Sequence, residues 1–238
     1  MYTYQLYAEI ERGINNLDNT LFLPSSEITM ALNKVIHEYV KEAYMFFERN
    51  EENRKRLSKL IKTTAFESGS DITENTDLAP SIKAFDVRLP ENAKFILLEI
   101  ATLVPENSGQ NGIQYTSRVT PINLDTIMTN LNNPFRKAYL KKVWRIEHKG
   151  INNEVNKIHT LVVPEGFELY RYTVSYIEVP PAITDITQLV NLDNYFDPIY
   201  QYELVELVIQ EAIRPYVGKA AQNQPQEPTT EEANSKVQ

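Results

Sequence analysis

A chain of 238 residues, 42% hydrophobic and 24% charged, is long enough to build a proper core as one large domain or two small ones. Its net charge of −8 argues against a dedicated nucleic-acid binder, which needs a basic surface, yet an acidic wall suits a protein that merely surrounds DNA. With no cysteine there is no disulfide framework, no thiolate metal site and no cysteine nucleophile.

The opening residues, Met1-Tyr2-Thr3-Tyr4-Gln5, lack the basic-then-apolar pattern of a signal peptide. Residues Thr3 to Leu17 read as a first helix, with Leu6, Tyr7, Ile10, Ile14 and Leu17 on one side. Asn15, Asn16, Asp18 and Asn19 break it, and Pro24 precedes the next element. From Ser25 to about Lys62 the apolar residues Ile28, Leu32, Val35, Ile36, Tyr39, Val40, Ala43, Phe46 and Phe47 recur at steps of three and four. This predicts one long amphipathic helix, with a possible bend near Asn50. At ~1.5 Å per residue it would reach roughly 55 Å, more than a domain of this size needs to cover its own core. A surplus of that kind is expected to meet other subunits.

Residues 63–83 turn polar and acidic and read as a functional loop or disorder. Short strands follow: Ala84 to Leu89, Lys94 to Val104, Tyr139 to His148, Lys157 to Val163 and Leu169 to Val179. Turns are expected at Asn152-Asn153 and Pro164-Glu165-Gly166, and a short helix at Asp125 to Leu131. The longest strongly apolar run, Phe95 to Leu98, is far short of a membrane span. Asp197 and Pro198 open a last helix that Pro215 and Gly218 should stop. The pattern predicts an α+β fold: long N-terminal helices packed with a mostly antiparallel β domain, then a C-terminal helix and a disordered tail. The expected divisions are a helical part (1–62), a polar loop (63–83), a β-rich body with its C-terminal helix (84–218) and the tail (219–238).

No chemistry stands out. His37, His148 and His159 are scattered, the seven glycines never cluster, and no nucleophile elbow occurs. Asp71, Glu74 and Asp77 do not have calcium-loop spacing. Neither a cofactor nor a metal is expected, and an enzyme is disfavoured. One local basic stretch, Arg136, Lys137, Lys141, Lys142 and Arg145, continues to Lys149 and is interleaved with Phe135, Tyr139 and Trp144. It reads either as a stripe for phosphates or an acidic neighbour, or as protection of a strand edge. Fourteen tyrosines against one tryptophan supply side chains that are apolar in body and polar at the tip, the kind favoured between subunits.

Several segments together resemble the ring or neck connector proteins of crAss-like tailed phages of Bacteroidetes. They are Ser25-Ser26-Glu27 leading to Val35-Ile36-His37-Glu38-Tyr39-Val40-Lys41, then Phe47-Glu48-Arg49-Asn50 and Leu89-Pro90-Glu91-Asn92. Asn133-Pro134-Phe135-Arg136-Lys137, Tyr176-Ile177-Glu178-Val179-Pro180 and the helix from Glu203-Leu204-Val205-Glu206 to Ala212 complete the set. The resemblance implies a virion structural protein, assembled in the host cytoplasm. It implies a ring, twelvefold in that family, between the portal and the tail, through which double-stranded DNA passes without sequence-specific binding. Copies of the chain, the portal protein and adjacent tail or ring proteins are then its partners, with no membrane involved. The expected subunit contacts are Tyr2, Tyr4, Tyr7, Tyr39, Phe46 and Phe47. The rival expectations are a phage assembly factor and a nucleic-acid binder using Arg136 to Lys149.

Overall fold

The computed structural model describes residues 1–17, 21–76, 78, 82–106, 112–131, 133, 137–149, 157–184 and 190–222. The chain divides into two compact units: Leu57–Pro181 forms one, and Met1–Arg56 joins with the chain from Ala182 onwards to form the other. The class is α+β, as the pattern predicts, but the C-terminal helix belongs with the N-terminal helices and not with the sheet.

The helical unit is built from α1 (Thr3–Leu17), α2 (Ser25–Met45), α3 (Glu51–Leu57) and α5 (Pro198–Gln222). On α1, Leu6, Tyr7, Ile10 and Ile14 are buried as the periodicity predicts, whereas Leu17, expected on the same side, is exposed at the helix end. Gly13 lets α1 approach α5: a Cβ there would meet Ile209 Cδ1 at 2.3 Å. The N-terminus is pinned to the segment before α5, with Thr3 N donating to the Val190 carbonyl at 3.1 Å and Thr3 Oγ1 accepting from Val190 N at 3.0 Å.

The long second helix is corrected. It ends at Met45, so α2 has 21 residues and a length of roughly 31 Å. A turn over residues 46–49 follows and the helix restarts at Glu51. Asn50 causes the restart, because its Oδ1 accepts from Glu52 N at 2.9 Å, a better use of a short amide than a helix interior. Arg54 folds back on the released carbonyls, its Nε donating to Phe47 O at 3.0 Å and its Nη2 to Glu48 O at 2.8 Å. The apolar face of α2 is covered by α5 and by Phe196, whose ring meets Tyr39 edge-on at 6.0 Å. Excess helix length is therefore not a reason for this chain to assemble.

α5 continues past Pro215 and Gly218 to Gln222, against the expected stop. Proline inside a helix removes one hydrogen bond and costs ~3 kcal/mol. Here the next residue is tied down, with Tyr216 OH donating to Glu27 Oε2 at 2.7 Å. The tail expected from residue 219 lies, from 223 onwards, outside the described residues.

The other unit holds eight strands: β1 (Ile61–Glu67), β2 (Ile72–Asn75), β3 (Ala84–Arg88), β4 (Ala93–Pro105), β5 (Tyr115–Pro121), β6 (Lys142–Lys149), β7 (Lys157–Val162) and β8 (Phe167–Glu178). They form one sheet in the order β1-β8-β4-β5-β6-β7-β3-β2. All pairs are antiparallel except β5 with β6, whose crossover carries a 3-10 turn (Leu124–Thr126) and α4 (Ile127–Leu131). One core cluster draws side chains from all eight strands, Phe66 of β1 and Ile72 of β2 included, so the sheet curls around them. A smaller cluster, with Trp144, Ile146 and Val162, covers the opposite face.

The stretch expected as a polar loop carries β1 and β2 instead. β1 pairs with β8 from Ile61↔Ile177 to Glu67↔Arg171, and the ladder supplies what its half-exposed sequence lacks in apolar pattern. Gly69 and Gly166, with φ of 89° and 80°, supply left-handed turns in the connections from β1 to β2 and from β7 to β8, strands that pair with other neighbours and not with each other. The turn expected at Asn152-Asn153 lies outside the described residues.

Candidate functional site

The residues expected at subunit contacts separate into an exterior set and an interior one. Tyr2 and Tyr4 are exposed and stack on one another with ring centroids 6.0 Å apart at 11°. Phe46 is exposed where α2 ends, and Phe47 is half-buried beneath Arg54, whose guanidinium carbon lies 5.9 Å from the ring centroid. Tyr7 and Tyr39 are buried inside their own chain. Their apolar spacing on α1 and α2 served the chain's own core.

Tyr39 belongs to a clasp within the helical unit. Its hydroxyl donates to Glu203 Oε2 at 2.9 Å, and Arg56 Nη2 donates to the other oxygen, Oε1, at 2.8 Å. The Arg56 guanidinium carbon also lies 5.3 Å from the Tyr39 ring and 6.0 Å from that of Tyr200, which donates to Glu52 Oε1 at 2.9 Å. Burial, and then the bond to Glu203, hold the Tyr39 phenol well above its ordinary pKa.

The basic stretch also divides. Lys137 and Lys141 are exposed, Lys142 is half-buried, and Arg136 lies outside the described residues. Arg145, expected on the surface, is buried. Its Nη1 lies 2.7 Å from Glu99 Oε2, with only 11% and 10% of the two side chains exposed. The reason is strand parity. Val143, Arg145 and Glu147 alternate onto the face whose Val143 joins the main core, while Trp144 and Ile146 take the other.

Arg145 is part of an interior polar cluster that no sequence motif announced. Tyr172 OH donates to Glu99 Oε1. His159 Nδ1 lies 2.8 Å from the Tyr172 oxygen, and since the phenol proton goes to Glu99, Nδ1 carries the imidazole proton and donates it. Glu147 lies 3.1 Å from Lys157 Nζ. Burial first, then the charges of Arg145, Lys157 and His148, push His159 down to about 3. Its ring is thus neutral, so the 3.7 Å and 3.8 Å approaches to Glu99 and Glu147 are not ion pairs. Burial and the neighbouring Glu99 push Tyr172 far up. The cluster is a self-neutralising set of charges that ties β4, β6, β7 and β8 together. The readable signal was a charged residue at the inward positions of strands otherwise apolar there.

His37, near the apolar face by spacing, is exposed on α2. Of the acidic trio, Asp77 lies outside the described residues, and Asp71 accepts from Ser70 Oγ at 2.8 Å and Glu67 N at 3.2 Å to shape the β1–β2 turn.

What the exterior offers is contact area. Leu17, Phe22, Met30, Met45, Ile199 and Tyr202 are exposed on the helical unit besides Tyr2, Tyr4 and Phe46. Residues 10–211 match the model of the family described as phage tail ring protein 3/4, and the chain belongs to that family. It is a structural component of a phage virion, of the tail-ring class. No curated protein matches the chain.

Proposed function

We propose that the protein forms a closed ring of identical copies, twelve in number, within the stack that links the portal to the tail, and that the ring encloses a channel for the genome. Family membership over residues 10–211 carries this reading. Large apolar side chains exposed on the surface of the helical unit support it, because a second copy would remove them from water. The charge balance supports a channel that does not hold DNA. The helical unit carries eighteen acidic and ten basic residues and the sheet unit fourteen of each, so the whole net charge of −8 belongs to the helical unit. Arg145, engaged with Glu99, does not serve a phosphate stripe.

Mass spectrometry of purified virions, joined to cryo-electron microscopy of the neck, tests the reading. The expected result is the chain as a stoichiometric virion component with ring density below the portal. Presence during assembly and absence from mature particles would instead identify an assembly factor. Tight DNA binding that weakens steeply with salt would identify a nucleic-acid binder.

A further inference from the structure

Resting on the ring reading, we infer that successive copies are joined by a charged knob-and-groove contact: the Tyr139 turn of one copy seats in the groove between α2 and α5 of the next. The groove has a volume of about 320 Å³ and lies wholly within the helical unit. Val35 and Leu207 give it apolar surface, Glu38, Glu42 and Glu211 line it with carboxylates, and Arg214 is the one cation in the lining. Glu211 is already answered by Lys34 and, at 3.6 Å, by Arg214. Glu38 and Glu42 are exposed and have no ion-pair partner among the described residues. Like charges four residues apart cost an isolated helix ~0.2–0.5 kcal/mol, a penalty that a cation from outside would lift.

The knob is on the sheet unit and is held in shape. Tyr139 N donates to Lys142 O at 2.9 Å and Lys142 N to Tyr139 O at 2.7 Å, closing a tight turn. The turn is fixed to β5 through Arg118 N, which donates to Lys141 O at 3.1 Å, and through Ser117 Oγ, which donates to Leu140 O at 2.5 Å. Tyr139 is exposed at the tip, with Lys137, Lys141 and Arg118 exposed around it. None of these three cations has an ion-pair partner among the described residues. An exposed aromatic side chain on a turn that also carries exposed cations suits a partly apolar groove in which carboxylates outnumber the one cation, and a fixed turn loses little freedom on docking. The two surfaces are different patches of one chain, as a head-to-tail contact that closes into a ring requires. The neutral sheet unit and the acidic helical unit give the contact its polarity.

Charge reversal with rescue tests it. One variant carries Glu38→Lys and Glu42→Lys, the other Lys137→Glu and Lys141→Glu. All four positions are exposed, and circular dichroism checks that both variants fold. Native mass spectrometry then follows wild type, each variant and their mixture. Each variant alone should associate about a hundredfold or more weakly than wild type, because like charges then face each other. The mixture should assemble again, each groove receiving the other variant's turn. Variants that assemble like wild type, or a mixture that stays apart, would overturn this contact and leave the ring reading standing. Wild type that stays monomeric, alone and with portal complexes, would overturn the ring reading and this contact with it.

Discussion

Acid should loosen the sheet unit through a single imidazole. His159 is fully buried and neutral, pushed down to about 3, whereas an imidazole in the unfolded chain titrates near ~6.5. Between those values the unfolded chain takes a proton that the folded chain refuses. The stability that the neutral ring contributes is whole above pH ~6.5 and falls as pH drops toward 3. Each pH unit inside that window is worth ~1.4 kcal/mol, so the loss from pH 7 to pH 5 is about 2 kcal/mol. His159→Gln is the control, since its amide can donate to the Tyr172 oxygen but does not titrate. The chain's only tryptophan, Trp144, is buried in the same unit, so its fluorescence reports that unit's unfolding directly. Urea titrations at pH 7, 6 and 5 should show the wild type losing about 2 kcal/mol more than His159→Gln. Equal losses in the two proteins would refute the claim that this ring is buried uncharged.

Three further outcomes follow from the packing. Arg145→Met strands Glu99 in the interior and should cost ~3–5 kcal/mol in Trp144-monitored unfolding, while adding Glu99→Gln should recover a large part of the loss. Tyr39→Phe removes one of the two donors to Glu203 and should lower the helical unit's stability by about 1 kcal/mol, read by circular dichroism at 222 nm. Gly13→Val drives a side chain into Ile209 and should cost ~1–3 kcal/mol, with Gly13→Ala costing less because alanine regains helix propensity.

Much of the fold was legible because its periodicities are strong. α1 has the predicted bounds, and β3, β4, β7 and β8 fall within a residue or two of theirs. Where local chemistry competed with periodicity, the reading failed. Phe46 and Phe47 continue the apolar spacing of α2, but Asn50 caps a new helix and Arg54 takes the carbonyls of the broken turn. β1 was hidden because three of its residues are hydroxylic or charged and exposed, and its stability lies in the ladder to β8. β5 was hidden for the same reason, with only Val119 joining the main core. The discontinuity of the helical unit, in which α5 packs on α1 and α2 across the whole sheet segment, leaves no local mark. For the candidate surfaces, composition pointed to tyrosine, but only burial separates Tyr2 and Tyr4, outside, from Tyr7 and Tyr39, inside.

In the proposed ring, sister copies cover the apolar side chains exposed on the helical unit. Native mass spectrometry of the purified chain across a concentration series, at low and moderate salt, measures this most directly. A discrete closed oligomer, favoured by concentration and loosened by salt, is the predicted result. A monomer at every concentration, unchanged when portal complexes are added, would contradict it.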